Sequence, residues 1–344
     1  MGKGGREHWV DAVKIVACTL VVLGHFFQSM TKSGILVAGK EFEWFNKTIY
    51  YFHVPLFFIC SGYLYQKYSR ILSVKDWSIN ILKKLLTLGV PYFIFSILTW
   101  VLKKTFEASV NNQIGGFFET IFIKPASPYW YLYVLFFFFV IYITFDKTGT
   151  AIVIVVVASI LKVLATFGIK SGIYVIDGFM NNSIWFVSGM VMAYFIKESA
   201  SSKKKSLVCG IIGGVVFSSF ILLSIPRANA LDNFAGKSFL MGVLACCGVV
   251  LISMAICMGR SNMNIAEWLS KYTFPVFLMH TLFAAPLRSV LIKLGIHGTF
   301  LHVALGLIIS FIGPIIAMIV MEKVKPLDFL VYPGRYIKVE KRSK

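Results

Sequence analysis

Residues 10–30 read VDAVKIVACTLVVLGHFFQSM, and this stretch decides the fold. Its apolar residues run on without the alternation of a half-buried strand, and at about 1.5 Å per residue they cross the roughly 30 Å of hydrocarbon in a bilayer. Comparable runs follow at 48–66, 85–102, 129–145, 150–168, 178–196, 206–225, 238–258, 272–292 and 300–321. Continuous apolar runs satisfy their backbone in lipid as helices, whereas barrel strands alternate. The expectation is an all-α polytopic integral membrane protein with about ten transmembrane helices in one bundle. Residues 1–322 would form the membrane domain and 323–344 a basic cytoplasmic tail. The run at 178–196 is the most polar at its start, with Asn181, Asn182 and Ser183.

Composition points the same way. Of 344 residues, 58% are hydrophobic and 14% charged, where soluble domains keep roughly a quarter charged. The 34 Lys and Arg exceed the 15 Asp and Glu, for a net charge of +19. Placing the N-terminus in the cytoplasm puts most of the cations on inner loops, among them Lys67, Arg70, Lys75, Lys83, Lys84 and the run Lys203-Lys204-Lys205, while Lys14 and Lys162 fall within spans. That bias predicts cytoplasmic termini, and it explains the charge by topology and lipid headgroups with no nucleic-acid partner. The six cysteines all fall in spans, so no disulfide is expected, and no Cys or His spacing suggests a metal. An apolar N-terminal stretch that carries Asp11, Lys14 and His25 is also a poor cleavable signal.

Ionisable groups inside a span usually face a protein interior or cavity and mark function. Lys14 and His25 are eleven residues apart, which brings them within about 20° of one helix face and about 16 Å apart along the axis. One helix thus offers a cation near the cytoplasmic surface and an imidazole deep in the membrane. That geometry suits a substrate with an anionic head, a long arm and a reactive end, the shape of an acyl-coenzyme A. The bland alternative is a snorkelling Lys14 and a His25 that only hydrogen-bonds within the bundle. Asp11 lies about 21 Å from His25 along the helix, so it pairs with Lys14 or Arg6 rather than orienting the ring.

In the second span, His53 precedes Pro55 and Ser61-Gly62. It lies about as far from the outer end as His25 does, so adjacent antiparallel helices would bring the two to similar depth. His280, counted from residue 272, reads as shallower than His25, and a His25–His280 pair is not expected outright. Packing is the alternative role for both.

These residues resemble the membrane-bound acyltransferase family 3. Arg6-x4-Asp11-x2-Lys14-x10-His25 is similar to its opening signature of a basic residue, ten residues and His. Phe52-His53-Val54-Pro55-Leu56-Phe57-Phe58 through Ser61-Gly62-Tyr63 resembles its Phe-His-x-Pro-x-Phe-Phe…Ser-Gly-Phe/Tyr segment. Pro128-Tyr129-Trp130-Tyr131-Leu132 resembles its Trp-x-Leu element, and the segment ending in His280 its Ser-Tyr-x-x-Tyr-Leu-x-His. The chain departs at Phe274 and Phe277, tyrosines in the family, and at Thr87, where a second arginine would follow Lys84.

The resemblance implies transfer of an acyl group, most often acetyl, from acyl-coenzyme A to a hydroxyl of a cell-envelope carbohydrate or lipid-linked saccharide, in a bacterial cytoplasmic membrane and without a metal. His25 would act as general base or transient acyl carrier, with Lys14, Asp11, His53 and His280 as further catalytic candidates. Lys14, Arg70, Lys83 and Lys84 would hold the coenzyme A phosphates, and Ser61, Tyr63 and Trp130 would contact substrate. The rival expectation is a secondary transporter or flippase for an envelope saccharide, which intramembrane Lys and His also suit.

Overall fold

The computed structural model describes residues 6–106, 114–196, 202–225, 234–258, 263–337 and 339. Twelve α-helices follow one another there: α1 His8–Lys32, α2 Lys40–Tyr50, α3 His53–Tyr68, α4 Val74–Lys84, α5 Val90–Thr105, α6 Trp130–Ile141, α7 Thr148–Thr166, α8 Tyr174–Phe195, α9 Lys203–Ser224, α10 Lys237–Cys257, α11 Asn264–Lys293 and α12 Thr299–Lys323. A π-helical turn, Leu85–Gly89, joins α4 to α5 into one rod from Val74 to Thr105.

Among the described residues, seven helical rods are long and apolar enough to cross a membrane: α1, α4–α5, α7, α9, α10, α11 and α12. The remaining expected spans fall on α3, α6 and α8. With 16 and 12 residues, α3 and α6 are short, and α8 carries Asn181 and Asn182. Rows of apolar side chains stay exposed on the outer helices: Ile152, Val153, Val156 and Ile160 on α7, Leu207, Ile211 and Val215 on α9. A water-facing surface would not tolerate such patches, whereas lipid does. The protein is an all-α integral membrane protein.

The centre of the bundle is α1, which buries Val10, Val13, Ala17, Val21, Val22 and Phe26 and packs on α3, α10, α11 and α12. The helices are locked at the face where α1 begins, here the proximal face. Glu7 accepts hydrogen bonds from Trp9 Nε1 at 3.1 Å and the Tyr63 hydroxyl at 3.3 Å, and it pairs with Lys67. Asp11 pairs with Arg6 at 2.5 Å and accepts from Ser270 Oγ at 2.7 Å. These contacts set the register of α1, α3 and α11, and hence the relative heights of His25, His53 and His280. Close approach of α3 to α8 needs Gly62 and Gly189. A Cβ at Gly62 would run into the Phe186 carbonyl, and one at Gly189 into the Ile59 carbonyl.

Beyond α12 the chain folds back onto the proximal face. The Tyr332 hydroxyl donates to Lys271 O at 2.9 Å, and Arg335 pairs with Glu322 and Asp328, each at 3.0 Å. Tyr336 donates to the same carboxylate. The Tyr336 hydroxyl and Arg335 together hold the buried Asp328 carboxyl below the usual carboxylate range.

Candidate functional site

Three imidazoles from three helices converge toward the distal face. The rings of His25 and His280 lie 5.5 Å apart between centroids, inclined by 31°. A helix starting at residue 272 would leave His280 shallower than His25. In fact α11 begins at Asn264, so His280 stands sixteen residues in (264 to 280), against seventeen for His25 in α1 (8 to 25). His53 opens α3 and faces the Tyr50 ring at 4.6 Å.

The hydrogen bonds assign proton positions. Nδ1 of His280 sits 3.0 Å from both the Val276 and Phe277 carbonyl oxygens, so it carries the proton and donates. Its Nε2 is therefore a lone pair, buried and without a partner. Nδ1 of His53 likewise donates to Ile49 O at 2.7 Å. The Nε2 of His25 lies 3.3 Å from Ser127 Oγ, in the loop before α6. Among the described residues no carboxylate is bonded to His25; a hydroxyl and a second imidazole stand beside it.

Two cavities meet at His25. One, of about 680 Å³, runs past His53, Tyr131 and Trp130 to Lys162. The other, of about 400 Å³, runs past Thr99 and Thr281 to Lys103 and Arg288. Gln28, Lys32 and Ser127 line both. Each volume is within the range of small-molecule sites. The combined wall is cationic, with Lys32, Lys47, Lys103, Lys124, Lys162 and Arg288 against one carboxylate, Glu119, which pairs with Lys124 at 3.4 Å.

A third cavity, of about 460 Å³, opens on the proximal face among Ser69, Asn80, Lys83, Lys84, Thr87 and Gly334. Lys84 lies 4.0 Å over the Phe139 ring and within electrostatic reach of Lys14. Asn80 is 8% exposed, and its side-chain NH2 has no partner. A buried, unanswered donor beside two lysines is a donor site for a ligand's oxygen.

The sequence candidates therefore separate. His25, His53 and Trp130 line the distal cavities, with His280 against His25. Lys83 and Lys84 line the proximal one, and Arg70 is exposed next to its Ser69 wall. Asp11 and Tyr63 belong to the proximal lock. Ser61 Oγ is bonded to the Tyr131 hydroxyl at 3.0 Å.

Lys14 and Lys162 are not the whole set of cations within the expected spans. Arg288 lies inside α11, 4% exposed, bonded to Ser29 O at 3.3 Å and to Ser29 Oγ. The rule that drew attention to Lys14 applies equally to Arg288, four residues before the expected end at 292. Ser127 carried no such signal, because a loop serine has no periodicity to mark it.

Residues 7–319 match the model of a family described as an acyltransferase domain. Over 143 residues the chain is 25% identical to "Nodulation protein NolL" of Mesorhizobium japonicum, a match covering 41% of this chain and 36% of that protein. The chain thus spans about a third of the length of that curated relative. No solved structure matches.

Proposed function

The chain belongs to acyltransferase family 3, and from that premise we propose that this membrane acyltransferase moves an acyl group such as acetyl from acyl-coenzyme A to a hydroxyl of a cell-envelope carbohydrate. The membrane would be a bacterial cytoplasmic membrane with both termini inside. The observation that carries the proposal is His25 at the meeting point of two cavities, with the lone-pair nitrogen of His280 beside it.

The donor enters at the proximal face. Lys83 and Lys84 meet its phosphates, the Asn80 amide donates to one of its oxygens, and Lys14 adds field at the mouth. Its thin arm extends along α1 toward His25, about 16 Å beyond Lys14. In the direct reaction the acceptor hydroxyl gives its proton to His25 while its oxygen attacks the thioester carbonyl. The C–S bond then breaks, and the proton leaves with the thiolate as free thiol. In the two-step form the His25 nitrogen first takes the acyl group, releasing thiol, and the hydroxyl then displaces the imidazole.

Purified protein in nanodiscs, given acetyl-coenzyme A and a pool of saccharides, tests this by thiol release. Release that needs both an acceptor and His25 supports the proposal. Intact donor in the presence of lipid-linked and free acceptors would reject it and favour a transporter.

A further inference from the structure

Arg288 is a permanently charged group buried in the distal half of the bundle, and among the described residues no carboxylate pairs with it. A charge so placed is costly unless an anion or polar network answers it. Ser29 O and Ser29 Oγ both accept from the same terminal nitrogen, Nη1. Lys103 of α5, half-buried and likewise without a carboxylate among the described residues, lines the same cavity.

From these two cations a groove of about 310 Å³ continues between α5 and α11 to the flank of the bundle. Its walls are Leu102, Phe106, Leu282, Pro286 and Val290, and Phe106 and Val290 at its edge are more than half exposed. Thr99, Lys103, Thr281, Ala285 and Arg288 line both this groove and the cavity of His25. An apolar trough in the lipid-facing wall thus leads past two cations to the reactive imidazole.

We propose that the acceptor is a lipid-borne saccharide that enters sideways from the bilayer: its chain lies in the α5–α11 groove, its phosphate between Lys103 and Arg288, and its sugar hydroxyl at His25. A free anionic sugar would use the cations and leave the trough without purpose. A neutral lipid would leave Arg288 unanswered. The proposal rests on the acyl-transfer reading for the identity of the reacting hydroxyl; the binding site itself does not.

Binding to the full chain in detergent, followed by native mass spectrometry, separates the possibilities with three probes: a polyprenyl phosphate, the matching polyprenol, and inorganic phosphate as competitor. The phosphate-bearing lipid is expected to bind at least about tenfold tighter than the alcohol, the worth of one charge-assisted contact. Lys103→Gln should erase most of that preference while leaving polyprenol binding unchanged. Ala285→Phe, which fills the junction, should weaken both lipids. Arg288→Gln repeats the charge test wherever that variant folds.

Equal binding of the phosphate and the alcohol would overturn the headgroup site. Full displacement by millimolar phosphate would reassign it to a soluble anion, and equal competition by phosphatidylglycerol would reduce it to ordinary boundary lipid. Failure of the acyl-transfer reading would appear separately, as acetyl-coenzyme A left intact whatever the lipids do.

Discussion

His25 has unusual company for a general base. A base is commonly held by a carboxylate, yet here the neighbours are Ser127 Oγ at 3.3 Å and the ring of His280. His280 is itself fixed by two main-chain carbonyls, which leaves its lone pair unanswered. Replacing His25 by Ala should cost about 10²–10⁴-fold in thiol release with acceptor present. Retained turnover in a folded protein would take His25 out of the mechanism. His280→Phe keeps a ring of similar size but removes the lone pair, and a kcat loss smaller than that of His25→Ala is expected. Lys84→Gln touches the other end of the reaction. Donor KM should rise with acceptor KM unchanged, and an unaltered donor KM would leave Lys84 as a cation resting on Phe139.

At the scale of elements, the close crossing of α3 and α8 holds His53 at its height, and small residues make it possible. Gly62→Leu would drive a side chain into the Phe186 carbonyl. Overpacking of this kind costs about 1–3 kcal/mol, measurable as a lower melting temperature in detergent, with the cavities of α5 and α11 less affected. The segment after α12 carries a different, pH-linked term. Because the Asp328 carboxyl titrates below its usual range, its anchoring is fully present above the ordinary carboxylate pKa of about 3.9 and is lost only as pH falls through the lower, folded value. Proteolysis near 327–337 should therefore be invariant from pH 5 to 8 and accelerate only in stronger acid. Acceleration already at pH 6 would show that another group anchors the segment.

Across the whole molecule, the proximal basic pocket and the distal cavities lie at opposite ends of α1. Between them Phe57, Tyr131 and Phe277 pack as a triangle, with centroids 5.5, 6.0 and 5.7 Å apart. Phe57 stands one turn along α3 from His53, and Phe277 one turn before His280. A donor arm bound at Lys84 has to pass this layer to reach His25. Phe277→Ala is expected to raise thiol release in the absence of acceptor several-fold, because water then shares the route. An unchanged background rate would place the donor's path elsewhere.

Much of this was legible in the order of residues. Hydropathy alone dictates helices, because lipid offers the backbone no other partners and a predominantly apolar run of about 20 residues suffices to cross it. Helical period alone brings Lys14 and His25 to one face, and the same intramembrane-charge rule reaches Arg288 when it is applied to every span. Tertiary packing decided the rest. That His280 meets His25 depends on α11 starting at Asn264 and on the Arg6, Asp11 and Ser270 clasp that sets its height. That Asp11 and Tyr63 serve the proximal lock, Ser127 reaches His25, and an apolar groove joins Arg288 to the bilayer are likewise facts of neighbouring helices. Periodicity reports which way a residue faces on its own helix; it carries no information about what another helix brings opposite.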